Sequence, residues 1–82
     1  MLKDQKIAID SIYVPARFRA TLKPERVEAL ALSIMEDGQK APILVRRDGE
    51  RFVLIEGFHR LEALKALGET VAIGLVVQAR RE

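Results

Sequence analysis

The run Phe52-Val53-Leu54-Ile55-Glu56-Gly57-Phe58-His59-Arg60-Leu61-Glu62-Ala63-Leu64-Lys65 leaves this chain few structural choices. Its first part reads as a buried strand. The period then becomes helical, with Phe58, Leu61, Leu64 and Leu67 along one face and Ala63 beside them. Only Glu56 and Gly57 separate the two patterns, so the strand must pass directly into the helix. A helix that opens straight after a glycine leaves several backbone N–H groups unpaired beside the positive end of the aligned peptide dipoles. That arrangement suits an anion.

The rest of the chain supplies scaffolding for this junction. Ile7-Ala8-Ile9-Asp10-Ser11-Ile12-Tyr13-Val14 alternates apolar residues around the turn-prone Asp10-Ser11, which predicts a first strand at or near a sheet edge, or two short pieces of one. Pro15 ends it. A loop follows through Thr21, with Phe18 turned inward and Arg17 and Arg19 outward. From Pro24 to Asp37, Val27, Leu30, Ala31 and Ile34 recur at helical spacing, Pro24 suits the first turn and Gly38 the stop. Ala41 to Arg46 and Arg51 to Ile55 read as antiparallel strands joined by an Asp48-Gly49 hairpin. Val71 to Val77 forms a last strand, with Gly74 marking a bulge or the close approach of another backbone. Gln78-Ala79-Arg80-Arg81-Glu82 is expected to fray. The order is β-α-β-β-α-β, an α+β fold with about four strands in a small mixed sheet and two main helices. The expected organisation is one domain over residues 1–82 with its core at about 7–77.

Composition narrows the function. Eighty-two residues without cysteine have no disulfide framework, no thiolate metal site and no redox thiol. No apolar stretch approaches the roughly 20 residues needed to span a bilayer, and the amino terminus lacks a signal-peptide pattern, so a cytoplasmic location without membrane contact is expected. Lys and Arg exceed Asp and Glu by only 14 to 12. With few aromatics as well, the chain does not read as a dedicated nucleic-acid surface, and DNA is expected to be reached through additional domains or partner proteins. A second copy of the chain is a further candidate partner.

Glu56-Gly57-Phe58-His59-Arg60 sets a carboxylate, a flexible glycine, an imidazole and a guanidinium around one junction. Gly57 lets the backbone approach a phosphate, the N–H groups of Phe58 to Arg60 can donate, and Arg60 adds a charge-assisted fork. His59 is a candidate phosphate donor or proton shuttle, and Glu56 a candidate Mg²⁺ ligand or general base. Arg17, Arg19 and Arg46 are candidates to converge on the same anion. The residues also admit a purely structural reading: a tight turn at Gly57, Glu56 complementing the helix dipole, a surface His59, and Arg60 paired with an acid. P-loop and Rossmann glycine patterns are absent.

From about Ile7 to Val77 the sequence resembles the amino-terminal domain of the ParB family, within the ParB/sulfiredoxin-like superfamily. The likeness runs through Arg17 and Arg19, Leu30-Ala31-Leu32-Ser33-Ile34-Met35-Glu36-Asp37-Gly38, Ala41-Pro42-Ile43-Leu44-Val45-Arg46, and Val53 to Gly68. It implies a nucleoside di- or triphosphate with Mg²⁺ at the Gly57-x-x-Arg60 turn, used as a switch on DNA in plasmid or chromosome partition or in transcription regulation. Partition proteins of the family usually read G-E-R-R here, so Phe58 and His59 depart from that pattern. Sulfiredoxins read G-C-H-R, and with Phe58 in the place of the thiol their chemistry is excluded. Free-serine kinases read D-G-H-H-R, which this turn follows at four of five positions, conservatively at Glu56. The alternatives to a nucleotide switch are therefore an ATP- or ADP-dependent phosphotransferase and a degenerate protein-interaction module that binds no nucleotide. A nuclease is disfavoured because no paired-carboxylate metal site is visible.

Overall fold

The computed structural model describes residues 3–78. The expectation of a frayed tail concerns 78–82, of which 79–82 lie outside them. Five strands and two α-helices follow in the order β1 (Gln5–Ala8), β2 (Ile12–Tyr13), α1 (Pro24–Asp37), β3 (Ile43–Asp48), β4 (Arg51–Glu56), α2 (Phe58–Ala66) and β5 (Val71–Val76). Short 3₁₀ turns occupy Ile9–Ser11 and Ala16–Thr21. The mixed sheet runs β1-β5-β3-β4-β2. The pairs β1–β5 and β3–β4 are antiparallel, and β3–β5 and β2–β4 parallel. Among the described residues no helix is long and apolar enough to cross a membrane.

The count is five strands rather than four because the Ile7–Val14 stretch divides. Asp10 and Ser11 sit in the 3₁₀ turn, where Ser11 Oγ donates to the Ala8 carbonyl at 2.7 Å. The two halves then join opposite edges of the sheet. Across a flat five-stranded sheet those edges would stand about 19 Å apart, whereas the four residue steps from Ala8 to Ile12 reach at most about 14 Å. The sheet must therefore curl.

The core lies between the sheet and α2, around Ile43, Val45, Leu54, Leu61, Leu64 and Ala72. Helix α1 has the boundaries its periodicity predicts, yet none of its residues is buried. It rides on α2 as an outer layer. The Asp48-Gly49 signal produces the expected hairpin, with a two-residue Gly49-Glu50 loop and Gly49 at φ 63°.

Two irregularities shape the site end of the sheet. Leu44 pairs with Glu56 but Val45 with Leu54, so β4 carries one extra residue there. Such a bulge re-aims the strand end, here at Glu56 and Gly57. Gly74, by contrast, keeps its register with both neighbours and is a point of close approach. A Cβ there would stand 2.9 Å from Ile7 Cδ1 and 3.3 Å from the Ile43 carbonyl oxygen.

Gln39 closes the sheet where β3 has not yet begun. Its Nε2 donates to the Ile73 carbonyl at 2.7 Å and to that of Ala41 at 2.9 Å, while its Oε1 accepts from the Ile73 N–H at 2.8 Å. The side-chain amide thus replaces a strand peptide unit beside β5. Gln39→Ala strands a half-buried backbone donor and acceptor, and is expected to lower unfolding free energy by about 1–3 kcal/mol, read from urea denaturation. Gln39→Glu, which lacks the donor, should fail to restore it.

Candidate functional site

Strand β4 delivers the chain to Gly57, the residue before α2. Gly57 has φ 100° and ψ 29°, a left-handed conformation that favours glycine. The space imposes the same choice independently, since a Cβ would lie 2.9 Å from Ile43 Cγ2 and 3.2 Å from Ile43 Cα. No side chain caps the helix. Its first backbone bond runs from the Leu61 N–H to the Gly57 carbonyl at 2.9 Å, so the N–H groups of Phe58, His59 and Arg60 have no acceptor within the helix.

Around this turn opens a cleft of about 370 Å³ between the Ala16–Thr21 turn and the first turns of α1 and α2. Gly57 to Arg60 form one wall with Glu56, while Thr21, Lys23, Arg26 and Leu30 contribute to the other. Arg60 is half-buried, and Lys23 and Arg26 are exposed. Among the described residues none of these three cations makes an ion pair. Like charges gathered at positive helix ends repel one another and oppose the helix dipole. A bound anion relieves both penalties.

The predicted residues divide into two groups. Glu56, Gly57, Phe58, His59 and Arg60 come together in the cleft. Phe58 turns its ring into the core, where it is 7% exposed and stacks on Phe18 at 5.5 Å, so only its backbone is offered to a ligand. His59 Nε2 accepts from the Lys23 backbone N–H at 3.0 Å. The second group, Arg17, Arg19 and Arg46, does not line the cleft. Arg17 lies over the Phe18 ring at 4.7 Å, Arg19 lines a separate hollow with Val14 and Glu62, and Arg46 stands opposite Val53 on β3. Glu56 is the one acid in the cleft lining, and no group of three or more His, Cys, Asp or Glu side chains suited to a metal occurs among the described residues.

Thr21, Lys23 and Arg26 escape a reading by motif. A faint signal exists: Lys23-Pro24-Glu25-Arg26 puts two cations at the start of a helix, against the usual charge preference. That both helices start at the same cleft is a tertiary fact.

A curled mixed sheet with α2 on its face, α1 riding on α2, and a glycine-cradled helix start defines the ParB/sulfiredoxin-like fold. The ParB N-terminal domain family model matches residues 2–82, and the chain belongs to that family. It is 38% identical over 71 residues to a probable chromosome-partitioning protein ParB of Campylobacter jejuni, a match covering 85% of this chain and 26% of that protein. The structure is similar to that of a C-terminally truncated ParB from Caulobacter crescentus complexed with CTP-gamma-S, with TM-score 0.82 and 26% identity, covering 95% of this chain and 46% of that one. It is also similar to sulfiredoxin from Arabidopsis thaliana, with TM-score 0.85 and 22% identity, covering 94% and 86%, a likeness of fold. The chain thus spans about a quarter of the Campylobacter protein and under half of the Caulobacter chain.

The two constraints on Gly57 are separable by mutation. Gly68 also has positive φ, at 80°, but a Cβ there meets nothing within 4 Å. Gly68→Ala is expected to cost about 1 kcal/mol of stability, and Gly57→Ala at least about 2 kcal/mol, because Ile43 must also move. Chemical denaturation of the two variants checks the difference.

Proposed function

We propose that this chain is a nucleotide-phosphate-binding module that acts as a switch or regulatory domain in a DNA-associated protein, as in partition or transcription regulation. One observation carries the reading: Lys23, Arg26 and Arg60 converge, without ion-pair partners among the described residues, on a helix start whose N–H groups are free. The Caulobacter relative complexed with CTP-gamma-S supports a nucleoside triphosphate as the ligand class.

The cleft residues fit a polyphosphate. The N–H groups of Phe58 to Arg60 would hold one phosphoryl group, with Arg60 as its charged fork. Lys23 and Arg26 face it from α1 and would take the neighbouring group. Mg²⁺ commonly binds through one or two carboxylates and the phosphates themselves, so the lone Glu56 suffices as the protein's ligand. The ion would offset phosphate charge and fix the chain of oxygens.

A phosphotransferase is less well supported, because it needs a base beside the acceptor hydroxyl. Of Glu25, Glu36, Glu50 and Glu56, Glu56 alone lines the cleft. In this reading its place is beside the metal.

Calorimetry with CTP, ATP and ADP in the presence of Mg²⁺ tests the proposal. Micromolar binding of at least one nucleotide is expected, weakened about tenfold or more by Arg60→Ala, the usual loss for a charge-assisted hydrogen bond. Added salt should weaken it further. Absence of binding by all three would leave the protein-interaction module. Formation of phosphoserine from free serine in a binding-competent sample would favour the transferase.

A further inference from the structure

Helix α1 starts in an unusual way. Lys23 is its N-cap residue and provides no side-chain cap. In a capping box the residue three places on, commonly Glu, reaches back to accept from the N-cap backbone N–H. Here that residue is Arg26, which has no acceptor to offer and lines the anion cleft instead. The acceptor comes from the other helix, where His59 Nε2 takes the Lys23 N–H at 3.0 Å. Among the described residues this is the one side-chain hydrogen bond joining the start of α1 to α2. Helix α1 buries none of its residues fully and has α2 as its main packing neighbour, so this bond ties its exposed first turn to the helix that carries the site. The imidazole is itself held, edge-on to the Phe58 ring at 5.4 Å, and Phe58 is anchored in the core.

From this geometry we infer that His59 is a positioning residue: it latches the start of α1 to the start of α2 and so holds Lys23 and Arg26 across the cleft from Arg60. A ring that accepts at Nε2 carries its proton on Nδ1. While the latch is closed, Nε2 cannot donate to an anion, and His59 contributes its backbone N–H to the cleft. The latch stands on the hydrogen bond alone, whereas its effect on affinity rests on the nucleotide reading above.

The sequence holds a single histidine, so ¹⁵N-histidine labelling reports one ring. The expected spectrum is that of a neutral imidazole protonated at Nδ1 with Nε2 as acceptor, and a ring protonated at Nε2 would overturn the latch. Hydrogen exchange at the Lys23 amide should quicken about fivefold or more in His59→Phe, which cannot accept, and return towards the wild-type rate in His59→Gln, whose side-chain carbonyl can. An unchanged rate in His59→Phe would also overturn it. For affinity, calorimetry with inorganic pyrophosphate and with CTP should show His59→Phe binding about five- to tenfold more weakly, with His59→Gln restoring most of the loss. Equal loss in both variants would mean that the ring touches the anion, against this inference. If the wild-type protein binds neither ligand, the nucleotide reading and the affinity effect fall, and the ring spectrum and Lys23 exchange still decide the latch.

Discussion

Helix α2 begins so close to strand β3 that a Cβ on Gly57 would stand 2.9 Å from Ile43 Cγ2. Ile43 is fully buried, and in the parallel pairing of β3 with β5 it sits beside Gly74, another position without room for a side chain. One isoleucine is therefore packed under two glycines, and its place fixes both the centre of the sheet and the entry of α2. The left-handed turn at Gly57 follows, and with it the direction in which the free N–H groups point. Interiors packed to this density transmit small displacements, so the Gly57 turn is held by the core beneath it.

Three cations at the cleft run against the local charge preference of the helices. Cations normally gather at the carboxy-terminal ends of helices, as Lys65 does on α2. Arg60 in the first turn of α2 and Lys23 and Arg26 at the start of α1 do the opposite. Ion pairs among the described residues, Lys40–Asp37, Arg51–Asp48 and Lys65–Glu62, are local and exposed and lie outside the cleft lining. Each contributes roughly 0–1 kcal/mol at most. The fold stands on its apolar core, and the cleft cations make no ion pair among the described residues.

Much of this was legible in residue order, because the relevant physics is local. The helical period of Pro24–Asp37, the Asp48-Gly49 hairpin and the strand-glycine-helix junction each announce themselves within a few residues. The junction also carries the family resemblance. What was not legible depends on where distant segments meet. The division of Ile7–Val14 between opposite sheet edges needs the curl of the whole sheet. Gln39 looks like any loop polar residue until Ile73 arrives beside it. The arginines expected at the site show the same limit: Arg17, Arg19 and Arg46 are prominent in sequence but do not line the cleft, while Lys23 and Arg26 reach it because α1 packs on α2. Phe58, the departure from the family turn, is intelligible only with Phe18 in place, since the aromatic pair moves that side chain from the site into the core.

The central claim is that the Gly57 turn and the start of α1 form one anion site. Backbone ¹H–¹⁵N spectra titrated with CTP and Mg²⁺ test it most directly. The amides of Phe58, His59 and Arg60 and the side-chain Nε–H of Arg26 should shift together and saturate along one binding curve. Saturable shifts confined to other surfaces, or spectra that do not change at millimolar nucleotide, would contradict the account.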